Sequence, residues 1–158
     1  MAKPARNAKP DEIVDSLRTF FATTKTHAGR RLLQSERNAT LLIDVLRSYV
    51  AAHKFQLHDF VVMPDHIHLL ITVGDRMTIE KAMQLIKERF SYLLKKEHGY
   101  LGEVWQRGFS EVRVDDTQSL EKHREYIAQN PVKAGLAERP DECPYCYGFL
   151  AKKKSRSG

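Results

Sequence analysis

LHDFVVMPDHIHLLITV, residues 57–73, is two strand-forming runs separated by a turn. Leu57 to Met63 and His66 to Val73 are rich in the β-branched and aromatic residues that suit a pleated surface. Met63-Pro64-Asp65 between them reads as a turn, because proline has no amide to donate within a central ladder. Two strands this close in the chain pair as an antiparallel hairpin. The second run is apolar except for His66, His68 and Thr72. Side chains alternate faces along a strand, so the two imidazoles point the same way. Imidazoles side by side on a rigid strand can grip one metal ion. A pattern this short leaves a second reading open, in which both rings are solvated or satisfied by hydrogen bonds. Against it, polar side chains on one face of an apolar strand need a reason.

Outward from the hairpin, periodicity assigns the remaining elements. Leu17 to Thr26, with Phe20, Phe21, Thr23 and Thr24, reads as a strand. Leu42, Val45, Leu46, Tyr49 and Val50 recur at helical spacing, giving a helix from about Arg37 to His53. Thr78 caps a second helix, Ile79 to His98, and Gly99 stands where a C-terminal cap glycine belongs. Its buried stripe is Ile79, Ala82, Met83, Ile86, Phe90, Leu93 and Leu94. Its other side carries Lys81, Lys87, Arg89, Lys95 and Lys96. Phe109 to Val114 reads as a fourth strand. Thr117 is the expected cap of a third helix through Leu120, His123, Tyr126 and Ile127, limited by Pro131. The first six elements follow the β-α-β-β-α-β order of a ferredoxin-like α+β fold. The expectation is one antiparallel sheet with helices on one face, plus an additional C-terminal helix carrying Tyr126.

The 158 residues suffice for one domain with one core. Residues 13–150 read as that domain, between polar, basic tails at 1–12 and 151–158. No apolar run approaches the roughly 20 residues of a membrane span, and the first residues lack the apolar stretch of a signal peptide. The expected location is therefore cytoplasmic. The net charge of +6 suits a polyanionic partner, nucleic acid first. Cys143 and Cys146 form one CxxC without a second pair, and read as ordinary thiols of a reducing compartment.

Two histidines leave a metal under-coordinated. Tyr126 and Asn130 are four residues apart, and so share a helix face. The Asn130 carbonyl oxygen is acceptable to a hard ion such as Mg²⁺ or Mn²⁺. The Tyr126 phenol, beside a metal-bound phosphate, could act as a nucleophile. Spacing alone does not say whether this helix faces the histidine strand.

Met63-Pro64-Asp65-His66-Ile67-His68-Leu69-Leu70 resembles the metal-binding segment of HUH nucleases, and more narrowly that of the IS200-like single-tyrosine transposases. Tyr126-Ile127-Ala128-Gln129-Asn130-Pro131-Val132-Lys133-Ala134-Gly135-Leu136 is similar to the tyrosine motif of their REP-associated branch. Val104-Trp105-Gln106-Arg107-Gly108-Phe109 resembles the segment before the last sheet strand of that branch. The three blocks keep the branch's order and spacing.

The resemblance implies that His66 and His68 bind Mg²⁺ or Mn²⁺, that Tyr126 is the nucleophile, and that Asn130 replaces the third ligand, often glutamine in mobile-element relatives. Asp65 stands where asparagine is common. Cys143 and Cys146 stand where serines are frequent. The implied activity is metal-dependent cleavage and rejoining of single-stranded DNA at hairpins or repeats, through a 5′-phosphotyrosine, as in transposition and recombination. Lys87, Lys95, Lys96, Arg107 and Arg113 are candidate phosphate contacts and Trp105 a candidate base stacker. The base that deprotonates Tyr126 is unassigned; His123, one turn earlier, reads as an ordinary helix histidine. A DNA-hairpin-binding protein without catalysis is the alternative. A hydrolase of small phosphoesters accounts for fewer residues. Homodimer and monomer both stay open.

Overall fold

The computed structural model describes residues 17–142 and residue 145. Its elements are β1 (Arg18–Lys25), α1 (Glu36–Ala51), β2 (Gln56–Met63), β3 (His66–Val73), α2 (Ile79–His98), β4 (Ser110–Val114) and α3 (Thr117–Lys133). The strands form one antiparallel sheet in the order β2-β3-β1-β4. This is the ferredoxin-like arrangement expected from the element order. Tails 1–12 and 151–158, and the pair Cys143 and Cys146, lie outside the described residues.

β3 is covered on both sides. Ile67, Leu69, Ile71 and Val73 join Phe20 and Ala22 of β1 and Phe60 and Val62 of β2 in the main core. That core is closed by Leu42 and Leu46 of α1 and by Met83, Ile86 and Phe90 of α2. The alternate residues of β3 face the other way. There Leu70 joins Val61 and Met63 of β2, Val114 of β4 and Ile127 of α3, with Phe21 and Leu120 packed alongside. Thus α1 and α2 share one face, as expected, and α3 lies across the opposite one.

Thr78 and Gly99 cap α2 as expected, Ser35 caps α1, and the cap of α3 differs. Ser35 accepts a hydrogen bond from the Asn38 amide, and Thr78 accepts one from the Lys81 amide. Gly99 ends α2 at φ 66°, a left-handed position that favours glycine. The cap of α3 is Asp116 rather than Thr117. Its carboxylate accepts from the Ser119 amide at 2.7 Å, and a negative charge there also complements the helix dipole. Pro131 does not limit α3 either, because the helix continues to Lys133. Only the bond back to residue 127 is forfeited. The next amides recover the pattern: Ala134 N–H reaches the Asn130 carbonyl, and Leu136 N–H the Pro131 carbonyl. The proline ring itself is buried.

Where α3 crosses β2 the sheet is irregular. The register between β2 and β3 shifts between Leu57 and Asp59, so His58 is the extra residue of a bulge. Burial raises the Asp59 carboxyl to about 6, against the opposing effects of the Phe60 amide and the Arg124 guanidinium. The folded state therefore holds a proton that the unfolded chain has released, and stability falls as pH rises from about 4 to about 6. Asp59→Asn should unfold like the parent near pH 4 and be more stable above pH 6. The expected gain is about 1 kcal/mol once partial solvent screening is allowed for, read from urea midpoints at both pH values. Ile127 is 1% exposed in the smaller cluster under α3. Ile127→Ala should cost about 2–4 kcal/mol in the same unfolding experiment.

Candidate functional site

His66 and His68 both project from β3 toward α3, with ring centroids 4.8 Å apart. Their surroundings begin with the turn before them. Thr26 N–H donates to the Asp65 carbonyl at 3.0 Å, and Leu33 N–H to the Pro64 carbonyl at 2.9 Å. These bonds hold the turn so that the Asp65 carboxylate meets His66 Nδ1 at 2.8 Å. A carboxylate only accepts, so Nδ1 is the donor, and in the neutral ring the lone pair lies on Nε2. His68 Nδ1 shares a hydrogen bond with Thr23 Oγ1 at 2.8 Å, across the β1–β3 pairing. Both outer nitrogens are thereby engaged, and among the described residues neither Nε2 has a hydrogen-bond partner. Orientation of a ligand histidine through its second nitrogen is a recurrent feature of metal sites.

Burial, then His66 and then Lys25, lower the His68 pKa to about 4. The ring is neutral near pH 7, the form in which imidazole binds a metal.

Phe21 is the hub of the site. Its ring stacks on His68 at 5.1 Å, tilts against His123 at 4.7 Å and meets Tyr126 edge-on at 5.8 Å. Tyr126 also meets His68 edge-on at 5.4 Å. The tyrosine is 46% exposed, so its phenol is open to a partner from solvent. The nucleophile candidate and the histidine pair thus converge within one chain. Asn130 is half-buried one turn beyond Tyr126. Among the described residues its side chain makes no hydrogen bond, which leaves the carboxamide oxygen available. His123 Nδ1–H donates to the Ser119 carbonyl at 2.9 Å, which in the neutral ring places the lone pair on Nε2.

As a donor set, two imidazole nitrogens and one amide oxygen fit a divalent ion that keeps open positions for water or phosphate. No cluster of three or more His, Cys, Asp or Glu side chains suited to a metal occurs among the described residues. A site here therefore depends on Asn130 or on substrate oxygens to complete it.

The candidate DNA contacts divide. Arg107 is exposed beside β1, on the histidine side, in a cavity that Thr23 also lines. Lys87 is otherwise occupied: its ammonium donates to the carbonyls of Gln106 and Gly108 at 3.0 and 2.7 Å, and burial lowers its pKa. Trp105 is half-buried against Phe90, and its indole N–H donates to the Lys87 carbonyl. It is a packing residue in this arrangement. Arg113 lies over the Phe20 ring and pairs with Asp115, on the face of the sheet away from the histidines. Lys95 and Lys96 are exposed in the last turn of α2, on that same far side, with Lys96 over Tyr92.

Phe21, Thr23 and Lys25 join the site although no motif in the sequence marks them, and Asp65, which stands where asparagine is common, holds the His66 ring. Asp65 is adjacent to His66, so a carboxylate reaching the ring was a legible signal. The β1 residues become visible only once the register sets Thr23 opposite His68 and Lys25 opposite His66. A larger cavity of about 630 Å³ lies at the other end of β3, around Thr72, Gly74 and Arg76, away from the histidines.

Comparison with known proteins agrees with this architecture. The profile of the family described as Transposase IS200 like matches residues 20–130, and the chain belongs to that family. A Haemophilus influenzae relative named for the REP-associated tyrosine transposases is 29% identical over 133 residues, 72% of this chain and 74% of that one. The Escherichia coli K12 REP-associated tyrosine transposase is 29% identical over 93 residues, 58% of this chain and 53% of its own. A solved REP-associated tyrosine transposase bound to a REP hairpin superposes with a TM-score of 0.65 at 26% identity, over 82% of this chain and 75% of that one. A transposase structure from Deinococcus radiodurans R1 shares the fold, with a TM-score of 0.53 at 19% identity over 69% of this chain and 87% of that one.

The hydrogen bonds make a spectroscopic prediction. Long-range ¹H–¹⁵N spectra should show His66 and His123 as the Nδ1-protonated tautomer. Asp65→Ala should release His66 to a mixture of tautomers and leave His123 unchanged. An unchanged His66 in that variant would show that the carboxylate does not set the tautomer.

Proposed function

We propose that this protein is a metal-dependent, single-tyrosine DNA strand transferase that binds DNA hairpins and cleaves and rejoins an adjoining single strand. The observation that carries the reading is the convergence of Tyr126 with the His66–His68 pair on one face of the sheet. Membership of the transposase family and the fold shared with a hairpin-bound relative support it.

His66, His68 and Asn130 would hold a Mg²⁺ or Mn²⁺ ion. When bound, that ion supplies Lewis-acid polarisation of the scissile phosphate. Tyr126 Oη attacks the phosphorus in line. The new Oη–P bond replaces the P–O3′ bond; the phenol gives up its proton and the departing O3′ takes one up, leaving a 5′-phosphotyrosine and a 3′-hydroxyl. The ester bond is exchanged rather than hydrolysed, so a 3′-hydroxyl can reverse the step without ATP. Phe21 keeps the tyrosine ring beside His68, and Asp65 and Thr23 keep the imidazoles oriented. Such supports matter because small misplacements of reacting groups are costly in rate.

The test is a labelled hairpin oligonucleotide with a single-stranded flank, incubated with the protein and Mg²⁺ or Mn²⁺. The expected product is a protein–DNA adduct that survives denaturation, is absent with a chelator and is lost in Tyr126→Phe. Persistence of the adduct in that variant would reassign the nucleophile. Hairpin binding without any adduct would make the protein a binding module instead. Asp65→Ala should weaken metal affinity by roughly 10–100-fold, the usual cost of removing a histidine's outer partner, measured as a higher Mn²⁺ concentration for half-maximal adduct formation.

A further inference from the structure

A second cavity, of about 270 Å³, opens beside the histidine pair. Its walls are the end of β1, the start of β4 and the loop between α2 and β4. Thr23 and Lys25 enter it from β1, Ser110 from β4, and Arg107 and Phe109 from the loop. In the sheet register Thr23 lies opposite His68, Lys25 opposite His66 and Ser110 opposite Thr23. All three therefore share the face that carries the site. Thr23 belongs to both places: it lines this cavity and bonds His68 Nδ1.

The loop is held in place. Lys87 clamps the Gln106 and Gly108 carbonyls, Thr24 Oγ1 donates to the same Gly108 carbonyl, and Gln106 N–H donates to the Lys25 carbonyl. Gly108 turns the chain at φ 80°, a left-handed conformation that side chains disfavour. The cavity is thus preformed, which lowers the entropic cost of filling it. Among the described residues neither Lys25 nor Arg107 makes an ion pair, so two cations stand unneutralised at its rim. Glu111, the next residue along β4, alternates to the opposite face. Phe109 is half-buried and packs on the main core while still bordering the cavity. Cations beside an aromatic face are the combination that takes a phosphate and an unstacked base. The volume lies near the lower limit of ligand cavities, roughly 300 Å³, which suits one nucleotide rather than a duplex.

We propose that this cavity receives one nucleotide of the single strand next to the scissile phosphate, its base against Phe109 and its phosphate between Lys25 and Arg107. The proposal rests on the single-strand-cleavage reading of the adjacent site and assigns it a nucleotide-binding pocket. Lys87 is then a positioning residue, acting through the loop carbonyls rather than on DNA.

The experiment uses Tyr126→Phe protein, which separates binding from turnover. Hairpin oligonucleotides are selected from a pool with a randomised single-stranded flank. Each flank nucleotide is then replaced in turn by an abasic one, and affinity is read by fluorescence anisotropy. One position should lose about tenfold, as expected for one stacked base. With Phe109→Leu added, the intact oligonucleotide should bind as weakly as the abasic one and that position should become silent. Phe109→Tyr, which keeps the ring, should restore the penalty. Lys25→Ser and Arg107→Gln should each flatten the dependence of log affinity on log salt by roughly 0.7. A flank with no sensitive position overturns the pocket, and so does a full penalty persisting in Phe109→Leu. Adduct formation by the parent protein on the same oligonucleotides is scored separately. An adduct without a sensitive position leaves cleavage standing and removes the pocket. A sensitive position that Phe109→Leu silences, without any adduct, keeps the pocket and removes cleavage.

Discussion

Strand β3 is buried on both faces, and the rest of the molecule is arranged around that constraint. A strand with two covered faces must satisfy two environments at a period of two residues. Ile67, Leu69, Ile71 and Val73 meet the first by joining the core beneath α1 and α2. On the other face only Leu70 is apolar, while His66, His68 and Thr72 need polar partners. A one-residue slip in register would put both imidazoles into the main core and lift four large aliphatic side chains out of it. The hydrophobic effect therefore secures the position of the histidines, although neither contributes to it.

The second face is a hybrid of packing and chemistry. Ile127, Leu120 and Phe21 dock α3 onto the sheet, and the same contacts bring Tyr126 to His68. Phe21 joins the two roles, since one ring touches His68, His123 and Tyr126. The polar atoms that packing would otherwise strand are paired through Asp65 and Thr23, which among the described residues leaves both Nε2 atoms uncommitted. A buried polar group left without a partner costs about 1–3 kcal/mol, a sizeable share of what docking α3 contributes. Pairing of the outer nitrogens thus serves stability and leaves the inner ones for chemistry.

Basic residues show why composition is a poor guide to an interface. Lys87, Lys95, Lys96, Arg107 and Arg113 look equivalent in the sequence. In the fold, Lys87 braces a loop, Arg113 lies over Phe20, and Lys95 and Lys96 sit on the far side of the sheet. Arg107 alone of the five stands beside the histidine face. Lys25, unremarkable in the chain, shares that face because it pairs with His66.

Local order was legible in the chain because it depends on neighbours in the chain. The hairpin at 57–73, the β-α-β-β-α-β order, the Thr78 and Gly99 caps of α2 and the shared direction of His66 and His68 all follow from short-range periodicity and turn chemistry. The errors were local as well: Asp116 outcompeted Thr117 as a cap, and Pro131 was absorbed into the last turn of α3. What no spacing could decide was which face of the sheet α3 would cover. That depends on strand register and on apolar clusters assembled from β1, β2, β3, β4 and α3. Contacts between residues more than a hundred positions apart, such as Phe21 with His123 and Tyr126, arise only when the sheet closes. The tyrosine and the histidine pair are separate motifs in the chain and become one site because burying Ile127 against Leu70 and Val61 leaves α3 no other place to lie.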